Sequence, residues 1–579
     1  MKYIAIIISL AMGVVVHAQI QTGEVSVGRE ETIGQGSVTV ERVYEPKVES
    51  AERIKQTPGA LPESTQKIPV EYSTKNIEVA SDFETSTIGA EKLPVKDQAP
   101  YNNYVRAGYG NHQNVLADAY FDYSILDNAR VGGAIKYNSA IPNIPDVNVP
   151  TNQSRLLGEA FLKMDFDNSQ FDLTAGGGFD KVNLYGISIP NFSGIADDQS
   201  LTQRFDSFFL EGKYQMYNHW LLQEARAKAS HVSDMYNASE TAFDATAHIG
   251  NPEITELNAL NDLQFGASAV ANVNTATTNF DLINSNQFTA FNVGIKPLLH
   301  FRTEILKLDL GANLQYNDLS GSAQLQKNGM HIFPHAELFI SPVREFGFYG
   351  GVTGGLYNQR YNNQRQINPF LLSQQQMATT VNKIEFFVGL KGDVESVFKY
   401  DARAGVQQVD NFAFFQKNGV ISAGVPFQYA NSFSVLYDDV KRMYLQGSLR
   451  FAGIEKLDVG GQLEFQTFEL TQIDEPWNAP FITASIDGNY KLLNERLILG
   501  SELFFVSDRK DRLSGMQLIP MEQTLLKAYL DLNANATFMI TDRWAVFAQA
   551  NNLLNHNYER FLDYRVQGLQ LLGGVMFKF

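Results

Sequence analysis

From Tyr104 onward the chain alternates. Val105, Ala107 and Tyr109 interleave with Arg106, Gly108 and Gly110, and then Val115, Ala117, Ala119, Phe121 and Tyr123 interleave with Leu116, Asp118, Tyr120, Asp122 and Ser124. Phe171, Leu173, Ala175, Gly177 and Phe179 repeat the pattern against Asp172, Thr174, Gly176, Gly178 and Asp180, and it persists to the last residue. A period of two with one apolar face predicts strands, and no helix-period segment of comparable length interrupts them.

Short polar turns recur at Asp127-Asn128, Asp167-Asn168, Asn218-His219, Arg344-Glu345, Glu395-Ser396, Asn494-Glu495 and Thr541-Asp542, with tight turns near Ile305 and Ile454. Between successive turns lie two alternating runs joined by a longer polar loop. Short turns at one end and long loops at the other are the asymmetry of bacterial outer-membrane barrels, and each run supplies the roughly 9 to 11 residues that a tilted strand needs to cross the hydrocarbon. The pattern therefore predicts an all-β chain, a transmembrane antiparallel β-barrel over 101–579. The count is about 22 strands if 261–301 holds three crossings, and about 20 if it holds one. A β-propeller would repeat residues as well as turn spacing, and no residue repeat is visible. In lipid, closure of the sheet is what pairs every backbone group.

The chain opens with Met1 and Lys2, runs apolar from Tyr3 to Val16 and ends that run on Val16-His17-Ala18, which reads as a cleaved signal peptide over 1–18. The segment 19–100 is polar and carries Pro46, Pro58, Pro62, Pro69, Pro94 and Pro100. It is too poor in apolar residues to offset its ordering entropy, so an extended periplasmic segment with no globular plug is expected. After residue 18 no apolar run approaches the length of a membrane helix, and the mean hydropathy is -0.19. The absence of Cys removes disulfide scaffolds and thiolate metal sites. A formal charge of -17 argues against nucleic acid as a partner, because phosphate binding needs a basic surface.

The chain ends Gly573-Gly574-Val575-Met576-Phe577-Lys578-Phe579, with Val575, Phe577 and Phe579 on one face. Gly574, Phe577 and Phe579 resemble the β-signal that the barrel-assembly machinery reads in a last strand; Leu572 stands where a polar residue is usual. Upstream, Trp544-Ala545-Val546-Phe547-Ala548-Gln549-Ala550-Asn551-Asn552-Leu553-Leu554-Asn555, followed by Tyr558, is similar to the penultimate strand of TonB-dependent receptors. The resemblance is sharp over the C-terminal strands and rests on texture elsewhere. It implies an outer-membrane location, contact with outer-membrane lipid, a small-molecule solute and TonB, or other periplasmic or outer-membrane proteins, as partners. The front of the chain departs from that family, whose receptors carry a plug of over a hundred residues. Glu24-Val25-Ser26-Val27 or Ser37-Val38-Thr39-Val40 could stand for the short TonB-contacting strand, against the plainer reading of an extended tail. Three arrangements stay open: the tail obstructs the pore, the barrel is a passive channel, or a partner closes the lumen.

His331 and His335 share a strand face with Phe333 and Glu337. Residues four apart on a strand are about 13 Å apart, too far to share an ion, so lumen-facing polarity is the expectation and no metal or cofactor set is expected. Among nine His no nucleophile elbow or other catalytic spacing stands out, and no enzyme is expected. The loops Arg360-Tyr361-Asn362-Asn363-Gln364-Arg365 and Asp508-Arg509-Lys510-Asp511-Arg512 place cations and an aromatic at the extracellular end. Arg360, Tyr361, Arg365, Arg509, Lys510 and Arg512 are thus the candidate ligand or partner contacts, through bidentate or stacking geometry; solvated loop residues are the plainer reading. The leading expectation is solute transport across the outer membrane. The alternative is an accessory barrel subunit of an assembly or export complex.

Overall fold

The computed structural model describes residues 103–187, 201–217, 219, 221–250, 264–283, 285–321, 325–421, 426–513 and 523–579. The leader 1–18, the segment 19–100 and the stretches 24–27 and 37–40 lie outside the described residues. Twenty-two strands form one antiparallel sheet that closes on itself. Closure is made by the first strand, Tyr104–Gly110, whose partners are Val115–Leu126 on one side and the last strand, Gln570–Lys578, on the other. The only α-helix among the described residues is Tyr361–Ile367.

Alternation sorts the wall into two faces. In the strand Asn286–Arg302, Phe291, Val293, Ile295 and Leu299 are exposed on the outer surface, while Asn292 and His300 are buried on the other side. Met443, Leu445 and Leu449 likewise point outward, with Arg442 and Tyr444 inward. Apolar side chains outside and polar ones inside suit a wall in contact with lipid around a hydrated lumen.

Apart from Asn218, which lies outside the described residues, the predicted polar pairs fall between consecutive strands. Asn494 and Glu495, and Glu395 and Ser396, have positive φ at both positions, the conformation that lets a tight hairpin match the right-handed twist of its strands. The total of 22 strands holds, but 261–301 contains two crossings, Gln264–Phe280 and Asn286–Arg302, rather than three or one. The remaining pair is Leu222–Asp234 and Ser239–Ile249, whose connection at 235–238 is so short that its turn is easily missed in a polar stretch.

The Asn-rich motif after Trp544–Asn551 has a local cause. Asn552 and Asn555 both adopt positive φ, which Asn tolerates better than most residues. The Asn552 amide donates to the carbonyls of His556 at 2.8 Å and Gln567 at 3.0 Å, and the Asn555 side-chain oxygen accepts from the Leu569 amide at 2.8 Å. Each Asn thereby ties the outgoing chain to the returning one. Tyr558 stacks on Tyr529 with ring centroids 3.8 Å apart and donates to Asp531 at 2.6 Å, fixing the start of the loop that follows.

Candidate functional site

The strands Phe398–Lys417 and Phe433–Ile454 have 20 and 22 residues, about twice what a crossing needs, so their hairpin rises well past the membrane. A bulge marks the change. Register shifts between Val409 and Phe412, and Asn411 takes φ 52. The Asn411 amide group donates to the carbonyls of Leu325 and Thr379, while its backbone N–H donates to Asp439. Beyond the bulge both faces of the strand are covered. Phe412 and Phe414 pack with Val409, Val440, Phe468 and Ala479, while Ala413 and Phe415 enter a second cluster on the other face.

That second cluster is built from loops all round the barrel. It holds Leu184, Phe370, Leu371, Phe427, Phe433, Phe561 and Tyr564. The Phe370 and Tyr564 rings stack at 3.6 Å, and Tyr185 lies 5.0 Å from Tyr564. Leu184 follows the fifth strand of the sheet, Ser169–Asn183, whereas Phe433 opens the sixteenth. These strands stand nearly half the circumference apart in a barrel about 40 Å wide, judged from strand spacing and tilt. Loops from opposite walls therefore meet over the mouth and form a lid.

Polar ties hold the lid where aromatic packing alone would leave it free to slide. Lys417 is fully buried; its ammonium donates to the carbonyls of Gly186 and Leu562, both at 2.9 Å, and pairs with Asp563. Asn431 donates to the Leu184 carbonyl at 2.9 Å, and Tyr564 donates to the Asn431 carbonyl at 2.5 Å. One lysine thus joins the loop after the fifth strand, the tall hairpin and the loop before the last strand.

The structure commits the six sequence-predicted contacts to this architecture. Arg360 makes a bidentate pair with Asp244 at 2.7 and 2.6 Å. Tyr361 is wholly buried against Phe205 and Phe280; its hydroxyl donates to Asp234 at 2.8 Å and its backbone N–H donates to the Glu240 carboxylate at 2.7 Å. Arg365 is buried over the Phe205 ring, with Asn362 and Asp180 as partners. Arg509 is buried and donates to the carbonyls of Arg560 and Glu559. Lys510 pairs with Glu475 at 2.6 Å, and Arg512 pairs with Asp474 at 2.8 Å over the Trp477 ring. The expected solvent-facing positions for Tyr361, Arg365 and Arg509 are corrected: these side chains knit the loops to each other and to the wall. Arg360, Tyr361 and Arg365 form one group on the helical loop, Arg509, Lys510 and Arg512 a second, and the Lys417 centre is the part sequence reasoning missed. The visible signal was the run Phe412-Ala413-Phe414-Phe415, whose lack of polar alternation marks burial on both sides.

Asp511 lies inside the lid and is wholly buried. It accepts from Asn478 at 2.8 Å and from the backbone N–H groups of Lys417 and Arg512. Burial outweighs these donors and the nearby Lys417 charge and pushes its carboxyl up to about 6. A carboxyl whose folded pKa lies above its unfolded value of 3.8 favours the folded lid when protonated; that contribution is complete below 3.8 and is lost as pH rises through 6. Amide exchange of 509–513 is expected to slow, after correction for intrinsic rates, between pH 7.5 and pH 5, and Asp511→Asn is expected to remove the difference. An unchanged pH profile in the variant would remove Asp511 as its source.

Below the lid the lumen face carries a polar ladder across four neighbouring strands. Glu385 accepts from Arg403, Tyr444 and Gln407, and Arg442 donates to Gln407, Glu464 and Gln466 at 3.0, 2.6 and 3.0 Å. Arg403 stacks over Phe387 at 3.8 Å. His331 and His335 point inward as their spacing predicts, yet to different partners, the Lys327 carbonyl and the Thr353 hydroxyl. No group of three metal-capable side chains occurs among the described residues.

The barrel matches solved outer-membrane structures over most of its length. The FrpB iron transporter of Neisseria meningitidis aligns with a TM-score of 0.59 at 10% identity, over 82% of this chain and 81% of that one. The ferric-catecholate import receptor Fiu of Escherichia coli K12 aligns at 0.61 and 10% identity, over 82% and 81%. The pyoverdine outer membrane receptor FpvA of Pseudomonas aeruginosa aligns at 0.59 and 13% identity, over 84% and 79%. At these identities the shared property is the fold. No protein-family model and no curated protein sequence matches the chain.

Proposed function

We propose that the chain is an outer-membrane transport protein that admits a small solute from the extracellular side, with the loop lid as its outer gate and TonB or another periplasmic protein as its partner. The observation that supports this best is the closed 22-stranded barrel with a polar lumen, shared in fold with proteins described as an iron transporter, a ferric-catecholate import receptor and a pyoverdine outer membrane receptor. Placing short turns in the periplasm, as outer-membrane barrels do, sets the lid outside the cell. A polar wall such as the Glu385–Arg403–Tyr444 ladder replaces hydration that a solute would lose in lipid. The six loop contacts then act on the gate from within, holding its loops to one another and to the wall.

The test is current through the full-length protein in a planar bilayer, native against a lid-loosened variant carrying Phe370→Ala and Tyr564→Ala. The native barrel is expected to be quiet, and the variant to show channel openings at least tenfold more often. A variant whose barrel is folded but as silent as the native protein would count against a gated solute path.

A further inference from the structure

Among the polar groups on the lumen face that neither the ladder nor the lid uses, one joins a hydroxyl, an imidazole and a carboxylate in series. Ser268, His300 and Asp309 lie on three consecutive strands, Gln264–Phe280, Asn286–Arg302 and Leu306–Ser320. Register sets Asp309 directly opposite His300, and Leu298 opposite Ser268, so Ser268 is the diagonal neighbour of His300. The alternate residues Leu299 and Leu310 are exposed on the outer surface, which turns this trio to the lumen. Ser268 Oγ is 2.6 Å from His300 Nε2, and His300 Nδ1 is 2.8 Å from Asp309 Oδ1. Arg302 pairs with the same Asp309 oxygen.

We propose that Ser268 is an activated nucleophile and that this trio is an acyl-transfer centre for small carboxylic esters that enter the lumen. The atoms are connected in the order such chemistry requires: hydroxyl to Nε2, and Nδ1 to a buried carboxylate. His300 takes the Ser268 proton as Oγ bonds to the ester carbonyl carbon. The imidazolium then returns that proton to the alkoxy oxygen as the C–O bond breaks and the alcohol leaves. Water, deprotonated by His300, attacks the acyl-serine; the acid departs and Ser268 recovers its proton. Asp309 is a positioning residue that fixes the imidazole tautomer. Lys296 pairs with Val270 and so stands on the other diagonal of Ser268, where its cation suits the oxyanion of the tetrahedral intermediate. The residues were hidden in the sequence because 268, 300 and 309 meet only through strand register, and no contiguous motif joins them. The centre does not depend on the transport reading, since an ester reaching the lumen by diffusion would serve.

The test treats the full-length protein in detergent micelles with a fluorophosphonate probe, whose phosphorus bonds to a reactive serine Oγ as fluoride leaves, and maps the adduct by peptide mass spectrometry. Ser268 is expected to be labelled ahead of every other serine. His300→Gln is expected to slow labelling by about 100-fold, Asp309→Asn to slow it, Asp309→Glu to recover part of that loss because a carboxylate again faces His300 Nδ1, and Ser268→Ala to abolish p-nitrophenyl acetate hydrolysis. No Ser268 adduct in the folded native protein overturns the proposal whatever the variants do. Labelling that is indifferent to His300→Gln also overturns it, since a serine merely bonded within a polar wall would behave that way.

Discussion

Replacing Lys417 by Met is expected to loosen the lid while the barrel below stays folded. Met keeps most of the side-chain volume, so the change removes a charge and its donors rather than opening a cavity. What remains is the Gly186 and Leu562 carbonyls and the Asp563 carboxylate, facing a thioether that cannot donate to them. Breaking a buried pair by removing one partner costs about 3 to 5 kcal/mol, and the low end applies because Asp563 is 34% exposed and can turn to water. About 3 kcal/mol is roughly a hundredfold in the opening equilibrium. Amide exchange should accelerate by about that factor in 184–187 and 562–566 and stay unchanged in 124–126 and 129–131, beside the short turn at the opposite end of their strands. Native exchange at 184–187 in the folded variant would show that aromatic packing, and not Lys417, holds opposite walls together.

The lid and the wall differ in how much of them could be read from residues alone. A wall strand faces lipid on one side and water on the other, so its two environments write a strict alternation, and Phe291, Val293 and Ile295 against Asn292 and Gly294 report it directly. The strand end Phe412 to Phe415 faces protein on both sides; its four apolar residues carry no period and do not tell which loops cover them. Arg365 and Arg509 misled for the same reason. A guanidinium in a polar loop looks solvent-facing until partners distant in sequence, Asp180 for one and the Arg560 carbonyl for the other, are brought beside it. Local geometry was legible where the turn itself is local, as at Glu395-Ser396 and Asn494-Glu495. It was not where closure of the sheet or of the lid supplied the partner. This also explains why a serine, a histidine and an aspartate can sit in bonding order on adjacent strands with no motif to announce them.

Gly574 puts the seam of the barrel to a second test. It pairs with Gly108 of the first strand and with Phe547 of the penultimate one, and the Phe547 ring lies over the glycine surface with Arg106 above it at 5.1 Å. A Cβ on Gly574 would overlap the Ala107 carbonyl oxygen and come within 2.5 Å of Phe547 Cζ; the ring can rotate away, but the backbone oxygen belongs to the closing hydrogen-bond ladder. Gly574→Val is therefore expected to prevent closure, and Gly574→Ala to lower folding yield by at least tenfold. Folding is read as the shift in electrophoretic mobility between unheated and boiled samples. Phe577 and Phe579 face outward with Val575, and Phe577 packs on Trp544 at 4.8 Å, so replacing them with Leu leaves the seam intact. The two kinds of substitution separate a steric role from recognition by the assembly machinery. Gly574→Ala should fail both in cells and when the purified chain is refolded into detergent. We propose that Phe577 and Phe579 serve recognition of the last strand, so that Phe579→Leu should refold normally in detergent and lose yield only in cells. If Gly574→Ala refolds in detergent as well as the native chain, the close approach across the seam is not what requires glycine, and the residue serves recognition instead.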